Sequence, residues 1–140
     1  MDNNKIIDIH AHIFPEKIAQ KATESIGDFY GIPIRGKGTT EDLLEQGKKV
    51  NVYRYVVHST ATKVKQVESI NEFISQVQLS DERIIGFGTL HPDLPDVQKE
   101  VDRLASLGLK GIKLHPDFQR FNIDDETMMP IYEAAEGRFP

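Results

Sequence analysis

The sequence has no cysteine, which removes disulfides, thiolate metal ligands and cysteine nucleophiles. That absence also fits a reducing compartment such as the cytoplasm. No apolar run approaches the roughly 20 residues needed to cross a bilayer. The N-terminal stretch, Met1-Asp2-Asn3-Asn4-Lys5, leads into only a few apolar residues before Asp8 and His10, too few for a secretory signal. A basic run is missing as well. The net charge is −5, with acidic and basic side chains interleaved, so neither nucleic acid nor an anionic membrane is an expected partner. The first strand-to-helix turn lacks a Gly-rich phosphate loop. His10-Ala11-His12-Ile13-Phe14-Pro15 stands there instead, which disfavours a dinucleotide-binding fold. These absences point to a soluble cytoplasmic protein.

The 140 residues suffice for one domain with a core, and 39% apolar with 28% charged residues is ordinary for a globular chain. Short apolar runs alternate with longer amphipathic stretches. The strand candidates are 5–9, 52–57, 83–90 and 110–114, rich in Ile, Val and Tyr. Pro15 opens a helix with the stripe Ile18, Ala22, Ile26 and Phe29, and Gly31 stops it. A short helix over 40–49 turns Leu43 and Leu44 inward. The next carries Val64, Val67, Ile70, Phe73, Ile74 and Val77. A third is capped near Asp93, has Pro95 in its first turn, buries Val97, Val101, Leu104 and Ala105, and closes at Gly108. Residues 117–122 read as a loop, followed by a turn and a helix starting at Pro130. The chain ends at Arg138-Phe139-Pro140, where a fifth strand is expected.

Strand–helix alternation of this kind specifies βαβ units and an α/β fold with a parallel sheet. An open doubly wound sheet and half of an eight-stranded barrel both satisfy it. Leu90-His91-Pro92-Asp93 recurs as Leu114-His115-Pro116-Asp117 one unit later, an echo of strand-end architecture.

All five histidines, His10, His12, His58, His91 and His115, fall at the C-terminal ends of these strands. That rim is where α/β folds place ligands and catalysis. His10 and His12 are two apart on a strand, so both rings project to one side and can converge on one ion. The alternative is a pair of histidines that cap backbone groups or meet solvent. Lys113 interrupts an apolar strand on the same side as His115, and as a buried ammonium it needs a partner. His91 and His115 each precede proline, which holds them extended at the strand exit. They could position substrate or donate protons, or simply bond a loop carbonyl. His58 is followed by Ser59 and Thr60, a helix-capping signal. Asp8 could orient a histidine or tie backbone. Asp117, Gln119 and Arg120 are polar residues on the same rim.

Ile7-Asp8-Ile9-His10-Ala11-His12, with Pro15 behind it, resembles the first strand of the amidohydrolase superfamily. Arg83–Pro92 resembles strand 3 of the amidohydrolase-related branch. The stretch Gly108-Leu109-Lys110-Gly111-Ile112-Lys113-Leu114-His115-Pro116 resembles its strand 4, the most specific match. The resemblance covers essentially the whole chain. It implies a partial (β/α)8 TIM barrel of four βα units with a parallel sheet ordered 1-2-3-4, and residues 1–140 as the N-terminal half of one hydrolase domain ending before strand 5. It also implies one or two divalent ions, zinc being the expected metal, held by His10 and His12. Further ligands in this family follow strands 5, 6 and 8. Lys113 and His115 are the implied catalytic residues, Lys113 either as a carbamylated bridge or as an ammonium. His91, His58 and Arg120 are the candidate substrate contacts.

The implied activity is metal-dependent hydrolysis of a small molecule. The same branch contains non-oxidative decarboxylases with the same first-strand ligands. A non-catalytic fragment is a third reading, and a phosphoesterase of the polymerase-and-histidinol-phosphatase type, which also opens with paired histidines, is a fourth. The open sheet edges of a half-barrel template association, so a homo-oligomer is among the expected partners.

Overall fold

The computed structural model describes residues 5–139. Its β-branched and aromatic runs form four strands, β1 (Ile6–His12), β2 (Val52–His58), β3 (Ile84–Thr89) and β4 (Gly111–Lys113). Every pairing is parallel and the order is β1-β2-β3-β4, so the sheet curls as part of a barrel. Six helices accompany it: α1 (Glu16–Tyr30), α2 (Thr40–Lys49), α3 (Val67–Ser80), α4 (Val97–Ser106), α5 (Pro116–Gln119) and α6 (Met129–Ala135). None of them is long and apolar enough to cross a membrane, among the described residues.

The helical layer packs on one face of the sheet. Ile74 and Val77 of α3, Val101 and Leu104 of α4, and Ile131 of α6 bury against Tyr55, Val57 and Ile84. Fully burying an aliphatic side chain of this kind contributes about 1.5–3 kcal/mol. Two glycines set how closely the helices approach β3. A Cβ on Gly86 would lie 2.8 Å from Ile74 Cγ2 and 2.8 Å from Leu109 Cδ2, and one on Gly88 would collide with Leu104 Cδ2. Close helix–sheet contact therefore needs glycine at both positions.

A buried polar network locks the rim end of β3. Asn71 Nδ2 donates to the Thr89 carbonyl (2.9 Å) and to Glu100 Oε1 (2.8 Å), while Asn71 Oδ1 accepts the Thr89 N–H (2.7 Å). Glu100 in turn receives Arg103 through two bonds of 2.9 Å. A buried carboxylate is tolerable only with such partners.

Several local expectations shift. Helix α4 is capped by Asp96, whose side chain accepts the Lys99 N–H at 3.1 Å, and not near Asp93. Pro95 therefore precedes the cap, and Ala105 is exposed. The first turn around Val64 is a 3-10 turn leading into α3. Residues 116–119 form one helical turn where a loop was expected. The α1 stripe is mostly uncovered: only Ala19 is buried, and Ile18 and Phe29 are exposed. Pro130 does sit in the first turn of α6, where its missing N–H costs nothing.

Candidate metal centre

β1 gains one residue on β2 just before the site. Asp8 pairs with Tyr55 and Ala11 with Val57, so three steps on one strand match two on the other, a bulge that bends the strand and re-aims side chains. The His10 N–H inside the bulge donates to Asp8 Oδ1 at 3.0 Å. Asp8 is thus committed to backbone and does not orient a ring. Beyond the bulge the register recovers, and His12 falls directly opposite His58.

That register assembles three imidazoles. His10 Nε2 and His12 Nε2 are 3.2 Å apart. The His58 ring stands 4.4 Å from His12, perpendicular to it, and 4.8 Å from His10. One ligand atom from each of the three lies within 4.8 Å of the other two. His58 is buried at 2% exposure, whereas His10 is open to solvent. The capping role suggested by Ser59-Thr60 does not hold: Ser59 Oγ donates across to the Ile13 carbonyl and ties the β1 and β2 exits together.

Burial keeps the His12 and His58 rings neutral. It pushes His12 from 6.5 down to about 4, with the neighbouring His10 and Lys113 adding to the effect. It pushes His58 to about 3, aided by His12 and Lys113. A neutral imidazole offers a lone pair, which is the form a metal needs. Two nitrogens bound tetrahedrally to one ion at 2.0–2.1 Å would be ~3.3 Å apart, so the His10–His12 spacing accommodates one. It also suits a hydrogen bond between the two neutral rings. His58 Nδ1 decides between them in part, because it is buried with no hydrogen-bond partner among the described residues. An orphaned buried nitrogen is costly unless something binds it. The donor set therefore fits a borderline-soft divalent cation.

Lys113 and His115 share one side of β4. Ile112 and Leu114 between and beyond Lys113 pack on the core, so the period of two sends Lys113 and His115 to the opposite face. Burial lowers the pKa of Lys113, and its charge acts on His12, His58 and His115. No hydrogen bond or ion pair holds its ammonium among the described residues, so the expected partner is not there. His115 caps α5: its Nδ1 accepts the Phe118 N–H at 3.4 Å. Its Nε2 lies 3.1 Å from Tyr30 Oη, and its ring stacks on Phe118 with centroids 4.0 Å apart. Burial, then Lys113, lower its pKa.

The remaining candidates are elsewhere. His91 is buried and serves its own turn, Nδ1 accepting the Asp93 N–H at 3.2 Å. Arg120 is the exposed, left-handed C-terminal cap of α5 (φ 57°). Gln119 is no substrate contact but a buried staple. Its Nε2 donates to the carbonyls of Ala61 (2.9 Å) and Leu90 (2.7 Å), and its Oε1 accepts the His115 N–H (2.8 Å). One side chain thus joins the exits of β2, β3 and β4.

A cavity of about 560 Å³ opens beside the histidines, between the rim and the α1–α2 arm. His10, His12 and His115 line it with Phe14, Ile26, Tyr30, Ile32, Leu43 and Phe118, and Thr23, Thr39, Asp42 and Gln46 form its polar side. Tyr30 and the α1–α2 arm carried no functional signal in the sequence. An apolar wall with a few convergent polar groups is the usual character of a small-molecule site.

No protein-family model and no curated protein matches the sequence. Two solved structures resemble the fold. One is a probable 2-pyrone-4,6-dicarboxylic acid hydrolase from Acinetobacter baumannii with citric acid bound, at 15% identity and a TM-score of 0.60, covering 96% of this chain and 47% of that one. The other is a 2,6-dihydroxybenzoate decarboxylase complexed with 2,6-dihydroxybenzoate, at 15% identity and a TM-score of 0.61, covering 96% and 48%. The chain spans about half the length of these two enzymes, and at this identity the likeness establishes the fold it shares with a hydrolase and a decarboxylase.

Proposed function

We propose that the chain is the metal-holding half-barrel of an amidohydrolase-superfamily enzyme that hydrolyses a small organic molecule. The observation that carries this is the convergence of His10, His12 and His58 at the rim, with ligand atoms within 4.8 Å of one another. His10 and His12 hold a divalent cation, zinc by donor type, and His58 closes the site from β2. When bound, such an ion polarises a substrate carbonyl and makes water nucleophilic at neutral pH. The chain's own residues do the rest. Burial keeps the His12 and His58 imidazoles unprotonated. Lys113, with no carboxylate of its own, is placed to neutralise an oxygen that gains charge during the reaction. His115 lines the adjoining cavity together with Phe14 and Leu43.

Decarboxylation is the second reading, favoured by the shared fold of the 2,6-dihydroxybenzoate enzyme. Both resembling structures hold small carboxylic acids, so a small carboxylate is the substrate class proposed for either reaction.

Metal content is the direct test. After dialysis against zinc and then metal-free buffer, the purified chain is expected to retain about one ion, and His10→Ala or His12→Ala to lose it. Retention of the ion by a His10→Ala/His12→Ala double variant would overturn the metal reading. Turnover of amides and aromatic carboxylates by an enzyme carrying both barrel halves then separates hydrolysis from decarboxylation.

A further inference from the structure

The direction of the hydrogen bonds at His115 has a consequence for what the cavity binds. His115 Nδ1 accepts the backbone N–H of Phe118. A nitrogen that accepts carries no proton, so the neutral ring must carry its proton on Nε2. That Nε2 faces Tyr30 Oη at 3.1 Å and donates to it. The phenol oxygen is then the acceptor in this pair, which leaves the Tyr30 O–H free to donate elsewhere. No second partner takes it among the described residues, and the Tyr30 side chain lines the cavity beside His10 and His12.

The surroundings fix this arrangement. His115 stacks on Phe118 with rings 13° from parallel, and Tyr30 leans on Phe118 with centroids 5.8 Å apart. Phe29 packs edge-on against both Tyr30 (4.9 Å) and Phe118 (4.7 Å). The chain Phe118 N–H to His115 to Tyr30 therefore runs from a helix end to the cavity through residues held by aromatic contacts. It joins α1 to the rim of β4, positions far apart in sequence.

We propose that Tyr30 is a ligand-binding donor of this cavity, aimed by His115 as a positioning residue, and that it selects flat ligands bearing an oxygen acceptor, a carboxylate above all. The aromatic and aliphatic wall takes the ring of the ligand, and the phenol takes its oxygen. A hydrogen bond to a charged acceptor is among the stronger kinds, so its loss should be measurable. The proposal deepens the reading of this cavity as a substrate site, but it does not require the metal.

Benzoate is the probe, titrated against the purified chain in the presence of EDTA and followed by NMR. Wild type is expected to bind it, and Tyr30→Phe to bind about tenfold more weakly with an unchanged melting temperature. Long-range proton–nitrogen spectra of wild type should show His115 protonated at Nε2 and bare at Nδ1, a signature no packing role would fix. A proton on Nδ1, equal benzoate affinity in Tyr30→Phe, or no benzoate binding by wild type would each overturn the proposal. Because EDTA removes the ion, these results stand apart from the metal content of the histidine variants, and either reading can fail alone.

Discussion

The two flanks of the sheet are built to different standards. Around β3 and β4 the helices are seated: Ile74, Leu104 and Val101 are fully buried, Asn71, Glu100 and Thr89 satisfy one another inside, and Gln119 bonds the carbonyls of Ala61 and Leu90. Around β1 the covering is thin. Ile7 is 53% exposed, Ile9 74%, and α1 buries a single residue. The histidine cluster sits on the seam, with His58 anchored on the packed flank and His10 on the open one. A site built this way has one side held by the core and one side free to answer to whatever binds there.

The largest effect that would sharpen this contrast is at Asn71. Asn71→Ala removes three bonds and strands the Thr89 N–H and carbonyl in the interior, each costing about 1–3 kcal/mol. A denaturant melt should show a loss of about 3–5 kcal/mol, or no cooperative fold at all. A loss below about 1 kcal/mol would mean that the packed flank does not depend on its polar lock.

Acid is the intermediate probe, and its sign is fixed by the seam. The folded His12 and His58 titrate near 4 and 3, against 6.5 in the unfolded chain. The unfolded state therefore binds more protons between about 6.5 and 3, and metal-free stability should fall as pH drops through that window. Asp81, held low chiefly by its bond to Arg83, also loses stabilisation on acidification, but only below its ordinary value of 3.8. Melts at stepped pH in EDTA check this. A decline that begins near pH 6.5, and flattens in His58→Asn, assigns the loss to the seam; a curve flat down to pH 4.5 contradicts it.

The smallest effect belongs to the open flank. Ile9→Ser should change stability by no more than about 0.5 kcal/mol, since little burial is lost. If the exposed β1 flank templates association, the same change should lower self-association in sedimentation. Unchanged association would move that property to another surface.

Much of this is legible in the sequence. Apolar runs and helical stripes marked the four strands and their parallel pairing, because βα units permit few arrangements, and the family resemblance supplied the order 1-2-3-4. His10-x-His12 announced itself by spacing. His58 did not, since its neighbours Ser59 and Thr60 imitate a helix cap and nothing local says which strand it faces. Gln119 read as a polar loop residue because its partners, Ala61 and Leu90, are remote in sequence. The α1 stripe shows the limit of pattern, which records which face is apolar and not whether anything covers it.

By itself, then, the sequence determined the α/β class, the parallel pairing of the strands and the gathering of all five histidines at one end, since all of these follow from local periodicity and chain connectivity. Tertiary structure alone decided which histidines meet. The bulge between Asp8 and Ala11 resets the β1–β2 register so that His12 lies opposite His58, while His91 turns into its own loop and His115 is claimed by α5 and Tyr30. Side-chain convergence depends on register and on the bonds between distant segments, and neither is written in the spacing of residues along one strand.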